Sequence, residues 1–394
     1  MLKLIQHAEV YAPEKLGQKD LLLCGDRVWK IEDQIDPENE LIEEVIDGTG
    51  MVAVPGFIDC HEHITGGGGE GGYQTRTPEA RLTDLTLCGV TTVVGCLGTD
   101  GVTRSMQALY AKACGLEAEG ISTFIYDGNY RLPLEPVTGS VMEDLVMIDK
   151  IIGAGEIAIS DHRSSQPTFE EFARLAADVR VGGMLSGKAG IINVHIGDSP
   201  RCLDLIQRVV EETEIPMTQF LPTHCNRNEM LFQQSVAYAK QGGYIDLTAN
   251  EDIDYWETIC DEVRVSTAIR RLLDAGVDLS HVTMSSDGQG SLPMFDKAGK
   301  YMGLGVGRAR SLLHEIKACV LEAGLPLETV LPIITRSPAE LLKLKGKGVL
   351  EPGASADLNL LKRETLEVDT VLAKGKVLVR NGKAEALPTF HLDA

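Results

Sequence analysis

The sequence predicts an α/β fold: a (β/α)8 TIM-like barrel with a small β-sandwich domain formed by the N- and C-terminal segments. Three observations lead there. Short apolar, β-rich runs recur through the middle of the chain. Helical patterns separate them. Both ends have a different texture, of short strands punctuated by turns. At 394 residues the chain is too long for one small core and fits a large barrel with a minor domain.

At the N-terminus, Leu2 to Ala8, Asp20 to Leu23 and Val28 to Ile31 read as strands, and Asp47-Gly48-Thr49-Gly50 marks a turn. The middle then supplies apolar runs at Val52–Asp59, Val90–Leu97, Thr123–Asp127, Ile157–Ser160, Ile191–His195, Gln219–His224, Tyr244–Ala249 and Val282–Asp287. Helical patterns such as Thr103–Glu119, Phe169–Val181 and Glu229–Gln241 lie between them. Near-continuous apolar strands alternating with helices indicate a parallel sheet covered on its outer face, and eight such units indicate a barrel. After the turn-rich stretch Gly348 to Ala356 the strands resume at Leu358 to Leu361, Val368 to Ala373 and Lys376 to Arg380. Residues 1–54 and 347–394 are therefore expected to form the small β domain and residues 55–346 the barrel.

Composition narrows the partners. A formal net charge of −21 argues against nucleic acid and anionic membrane surfaces, which attract basic proteins. No apolar run reaches the roughly 18 residues of a membrane span, and acidic residues come too early in MLKLIQHAEVYAPEKLG for a signal peptide. Nine cysteines without CxxC spacing argue against a disulfide framework. The expectation is a cytoplasmic protein with reduced thiols that acts on a small molecule.

In a (β/α)8 barrel the chemistry sits at the C-terminal ends of the strands. The first run ends in His61-Glu62-His63, followed by the glycines Gly66 to Gly69. Residues i and i+2 of a strand share a face, so both imidazoles can enter one coordination sphere. The fifth run ends in His195, the sixth in His224 and the eighth in Asp287. Taken singly, His195 and His224 read equally well as packed polar groups. Together the four histidines and the aspartate fit a two-metal hydrolytic centre, in which paired ions lower the pKa of a water and polarise a carbonyl. Asp287 is placed both to bind metal and to take the water's proton.

The pattern Pro-Gly-Phe-Ile-Asp-x-His-x-His, the later single histidines, Ser286-Asp287-Gly288 and the C-terminal Leu-x-x-Gly-x-x-Ala-Asp-Leu resemble the amidohydrolase superfamily. Within it, nearly the whole chain is similar to the isoaspartyl (β-aspartyl) dipeptidases. The matching segments are Gly66 to Glu70, Thr75 to Glu79, Gly98 to Asp100, Ile159 to Arg163, Thr223 to Arg227 and Ser285 to Ser291. The resemblance implies binuclear, metal-dependent hydrolysis of β-aspartyl dipeptides by a metal-bridging hydroxide. It implies a first divalent ion on His61, His63 and Asp287 and a second on His195 and His224; the nitrogen-rich ligands point to zinc, with manganese or cobalt as the alternatives. Glu70 would pair with the substrate's α-ammonium, with Gly68 letting backbone approach closely. Arg163 and Arg227 would grip carboxylates, Tyr130 would hydrogen-bond the developing oxyanion, and Thr99 and Ser291 would position the dipeptide's polar ends. The resemblance further implies a homo-oligomer, an octamer. The residue chemistry agrees, since a β-aspartyl dipeptide carries one ammonium and two carboxylates.

The chain departs from the family at one position. The family bridges its two metals with a carboxylated lysine on the fourth strand, where this chain has Glu156 in Gly153-Ala154-Gly155-Glu156-Ile157. The expectation is that the Glu156 carboxylate itself bridges the ions as a hard oxygen ligand. Glutamate is shorter, so the backbone must sit closer to the ions, and Gly155 could permit that. The alternative at this position is that Glu156 is an ordinary strand-start carboxylate and the site holds one metal. Two alternatives stand beside the functional reading. One is a cyclic-amide hydrolase of the dihydroorotase or hydantoinase kind, which would leave Glu70 without a clear partner. The other is a non-catalytic scaffold, which the intact ligand set opposes.

Overall fold

A computed structural model describes residues 2–391. Met1 and residues 392–394, the ends of the expected small β domain, lie outside the described residues. Eight parallel strands build the central barrel: β1 (Phe57–Glu62), β2 (Val90–Gly95), β3 (Ser122–Asp127), β4 (Ile151–Ile159), β5 (Ile191–Ile196), β6 (Phe220–Thr223), β7 (Ile245–Thr248) and β8 (Val282–Ser285). The first six form one curled sheet in chain order, and β7 pairs with β8. Backbone hydrogen bonds close both seams: Cys225 N donates to Asp246 O (3.0 Å) and His63 N to Gly288 O (2.9 Å).

Every residue of β1, β2, β4 and β5 is buried, as strands covered on both faces require. Leu109, Leu116, Phe172, Val179 and Phe232 pack the layer between strands and helices. Ile58, Val94, Tyr126, Ile152 and Leu221 fill the ring. The helices begin where their caps dictate. Thr168 and Glu171 form a capping box that opens Phe169–Ser186, and Gly187 closes it in the left-handed region at φ +70.

Strands from both ends join one hydrogen-bonded sheet. Its order runs from Lys383–Ala384 through Lys376–Arg380, Val368–Ala373, Leu358–Lys362, Met51–Pro55, Leu2–Tyr11 and Lys15–Cys24 to Arg27–Glu32, with Ile42–Asp47 also paired to Leu2–Tyr11. Ile5, Val10, Leu21, Leu358 and Leu372 form its core.

Two features differ from the sequence expectation. The run Val52–Asp59 is two strands, not one. Met51–Pro55 belongs to the terminal sheet, and the chain passes into β1 through Gly56, whose N–H bonds Asp357 O at 2.9 Å. A Cβ there would come within 2.2 Å of Thr91 Oγ1, so only glycine fits the crossing. The second is an antiparallel hairpin, Ser291–Phe295 with Tyr301–Val306, between β8 and the helix Arg310–Lys317.

Candidate metal centre

His61 and His63 leave the end of β1 with both Nε2 atoms turned to one point above the ring. His63 Nε2 lies 3.0 Å from Asp287 Oδ1, and His61 Nε2 lies 3.6 Å from the same oxygen. Glu156 Oε2 is 3.5 Å from His61 Nε2 and 3.7 Å from His63 Nε2. These separations suit four ligands around one ion, because ligands about 2.0–2.2 Å from zinc sit about 3.4 Å apart in a tetrahedron. His61 Nε2, Glu156 Oε2 and Asp287 Oδ1 are buried and have no hydrogen-bond partner. Orphaned buried acceptors and donors are costly, and converging on one point they fit a cation.

The other oxygen of Glu156 serves a second group. Oε1 lies 2.7 Å from His195 Nδ1 and 3.4 Å from His224 Nε2, and those two nitrogens are 3.1 Å apart. One carboxylate thus presents one oxygen to each histidine pair. The backbone explains how so short a side chain reaches. Ala154 pairs with Ile192 and Ile157 with Val194, so Gly155 and Glu156 together oppose the single residue Asn193. Such a bulge re-aims a side chain. Gly155 takes φ +139, and a Cβ on it would strike Asn193 O at 2.5 Å.

The charges divide the two groups. Burial alone would push the His61 imidazole down, but the neighbouring Cys96 sulfur and Glu156 carboxylate outweigh it and hold it well above the ordinary histidine range. Burial likewise opposes, and Cys96 and Asp287 raise, His63. In return, burial notwithstanding, His61 and His195 hold Glu156 well below the usual carboxylate range, and His63 does the same for Asp287. His224 goes the other way, brought down to about 3 by burial and the charge of Arg227. A metal ligand must be a neutral imidazole. The His61–His63 group must therefore shed protons to take an ion, while His224 is already neutral. Ion affinity should fall as pH falls, by about tenfold per pH unit for each imidazole proton displaced. Zinc titrations between about pH 5 and 8 check this; a flat profile with no proton release would count against it.

Above the histidines opens a cavity of about 1650 Å³. It is larger than the roughly 300–1,000 Å³ of an ordinary small-molecule site, so charge rather than tight enclosure must select what binds. Gly68, Glu70, Thr99, Tyr130, Arg163, Arg227 and Ser291 line it together with His63, His195, His224 and Asp287, while His61 and Glu156 are fully buried behind. The structure thus brings all the residues singled out in the sequence around one space. Glu70 Oε1 accepts from Thr99 Oγ1 (2.9 Å) and Arg163 Nη1 (3.3 Å). Arg163 spends its Nε and Nη2 edge on Asp161, at 3.0 and 2.8 Å, so Nη1 is the part left toward Glu70 rather than a free two-pronged fork. Arg227 is half-buried, with Asp198 3.7 Å away. Tyr130 Oη stands 2.9 Å from His195 Nδ1. Burial first, and then the charge of Glu156, raise the phenol well above its usual range, so it keeps its proton and can donate.

Sequence reasoning assigns no role to the residues that hold the histidines. Asn193 Oδ1 meets His61 Nδ1 at 3.0 Å, Thr248 Oγ1 meets His224 Nδ1 at 2.8 Å, and Asp161 Oδ2 meets His195 Nε2 at 3.0 Å. Such outer partners fix ring orientation and tautomer. A signal existed for Asn193, two residues before His195 and on the same face of its strand. Cys96 also falls in the cluster: His61, His63, Cys96 and Glu156 each offer an atom within 4.8 Å of the others.

Comparison with known proteins bears on what such a centre does. The model of the Amidohydrolase family matches residues 52–378. The fold superposes on a β-aspartyl dipeptidase from Fervidobacterium islandicum AW-1, solved in complex with the β-Asp-Leu dipeptide, with a TM-score of 0.90 and 47% identity over 99% of this chain and 100% of that one. A dihydropyrimidinase from Brevibacillus agri shares the fold at 17% identity, with a TM-score of 0.68 over 98% and 97% of the two chains. A dihydroorotase of Listeria monocytogenes is 23% identical over 93% of this chain and 90% of its own length.

Proposed function

The chain belongs to the amidohydrolase family, and on that premise we propose that it hydrolyses β-aspartyl dipeptides with the help of two divalent metal ions. The observation that carries the proposal is the placing of Glu70, Arg163 and Arg227 together on the wall of the cavity above the histidine cluster. That pattern complements one ammonium and two carboxylates. The likeness to a dipeptidase that binds β-Asp-Leu supports the same substrate class.

In this reading His61, His63 and Asp287 hold one ion, His195 and His224 hold the other, and Glu156 gives each an oxygen. Zinc suits so nitrogen-rich a set. Ions held there would lower the pKa of a water and polarise the scissile amide. The protein's own groups do the rest. Glu70, steadied by Thr99, receives the α-ammonium. Arg163 Nη1 and Arg227 take the carboxylates, with Gly68 and Ser291 bounding the space. Tyr130, protonated, donates to the carbonyl oxygen as it gains charge. Asp287 accepts the attacking water's proton and returns it to the leaving amine.

The direct test compares β-aspartyl-leucine, α-aspartyl-leucine and dihydroorotate as substrates of the zinc-loaded protein. Cleavage of the β-linked peptide alone is the expected result. Turnover of dihydroorotate alone would replace the proposal with the cyclic-amide reading. Glu70→Gln should raise KM for β-aspartyl-leucine by about 30-fold, the lower end of the roughly 2–5 kcal/mol lost when a charge pair covered on binding loses one partner, since Glu70 is exposed on the cavity wall. An unchanged KM would remove Glu70 from the ammonium site.

A further inference from the structure

We infer that Cys96 is a positioning residue for His63, its sulfur accepting the Nδ1 proton and so turning the Nε2 lone pair toward Asp287 and Glu156. The inference rests on the metal reading above. Cys96 immediately follows β2 and is completely buried. Its N–H donates to Glu62 O at 3.0 Å, which fixes the backbone beside the His61-Glu62-His63 turn. Its sulfur lies 3.6 Å from His63 Nδ1 and 3.6 Å from Glu62 O. The carbonyl takes the thiol proton, which leaves a sulfur lone pair free to face the imidazole N–H.

The position of the sulfur decides between a ligand and a support. His63 Nε2 is the nitrogen that faces Asp287 Oδ1, at 3.0 Å. Cys96 meets the opposite nitrogen, so it backs the ring. The ring packs against glycine backbone on two sides: the Cβ positions of Gly98 and Gly67 fall 3.0 Å from its Cε1 and 3.4 Å from its Cγ, so a side chain at either would displace it. The other three histidines are backed by oxygens, from Asn193, Thr248 and Asp161. His63 is the one backed by sulfur, a weak acceptor. Weak backing gives a less basic ligand, so the ion on His61, His63 and Asp287 is the one that should respond to a change at Cys96.

The experiment is chelator competition on the purified holoenzyme and its Cys96→Ala and Cys96→Ser variants, with zinc as the probe, beside the absorption spectrum of the cobalt-loaded protein. Cys96→Ala should weaken one equivalent by about 10–100-fold, the usual loss when an outer partner is removed, and leave the other unchanged. Cys96→Ser, which restores an acceptor, should recover most of the loss. The cobalt spectrum of the unaltered protein should lack a sulfur-to-cobalt charge-transfer band. Equal affinities in Cys96→Ala and the unaltered protein would overturn the inference, as would a charge-transfer band that Cys96→Ser abolishes, because the sulfur would then be a ligand. An unaltered protein that takes up no ion would overturn this and the metal reading together, whereas two ions with no effect of Cys96 overturn this inference alone.

Discussion

Asp287→Asn is expected to lower kcat on β-aspartyl-leucine by about 10²–10⁴-fold, the range over which a positioned proton acceptor contributes. Asparagine keeps the side-chain shape and one carbonyl oxygen, but it cannot accept a proton. The native carboxylate is set for that task. Its Oδ1 is buried without a hydrogen-bond partner, 3.0 Å from His63 Nε2 and 3.6 Å from His61 Nε2. Although burial would raise it, the imidazole of His63 holds its pKa below the usual carboxylate range, so at neutral pH it is ionised and free to accept. Its backbone is equally committed: Asp287 sits at φ +48, and Cβ atoms added to Gly288 or Gly290 would crowd the Glu62 and Asp287 carboxyls. Because the proposed reaction uses the carboxylate as a ligand too, metal content must be measured alongside rate. Loss of rate with both ions retained isolates proton transfer. Loss of rate together with one ion means that ligation dominates. Activity within a few-fold of the unaltered protein would remove Asp287 from both roles.

How far the sequence alone reaches is seen in these same residues. The His61-x-His63 pair is legible because a strand's period of two puts both rings on one face, and both Nε2 atoms do meet near Asp287. His195, His224 and Asp287 are legible because apolar runs end at them and strand ends share one rim of a barrel. What holds the rings is not legible, because alternation assigns a face but not a neighbour across the sheet. Asn193 reaches His61 over 132 positions of sequence, and Asp161 reaches His195 over 34. Cys96 lies within an apolar run and is buried, yet its sulfur ends on an imidazole. The Gly56 crossing is hidden for a different reason. An apolar run reads the same whether one sheet or two bury it, and only the clash with Thr91 separates Met51–Pro55 from β1. The pairing of Arg163 with both Asp161 and Glu70 is also a tertiary fact: in the sequence the arginine is a free cation, while in the structure one edge is already engaged.

Glu156→Gln is expected to cost the protein one metal equivalent and nearly all activity, and full activity of the unaltered protein should need no bicarbonate during metal loading. Both follow from the bridging proposal. A carboxylate carries its charge on two equivalent oxygens, and Glu156 directs Oε1 to His195 and His224 and Oε2 to His61 and His63. Glutamine replaces one of those oxygens with an NH2 donor, which repels a cation and cannot ligate it. One histidine pair would keep an oxygen and the other would lose it. The cost is compounded by burial, because Glu156 is fully buried and Oε2 has no other partner. The missing carbamate is compensated by the chain path: Gly155 and Glu156 bulge against Asn193, and the left-handed φ of Gly155 brings the shorter side chain forward. Since no lysine stands there to be carboxylated, carbon dioxide has no place in assembling the site. The measurement is metal content by atomic emission on protein loaded with and without bicarbonate, for the unaltered chain and for Glu156→Gln, with β-aspartyl-leucine hydrolysis on the same samples. Two ions retained by Glu156→Gln would show that the histidines and Asp287 hold both without a bridge. A bicarbonate requirement in the unaltered chain would mean that a carbamate forms elsewhere and that Glu156 is not its substitute.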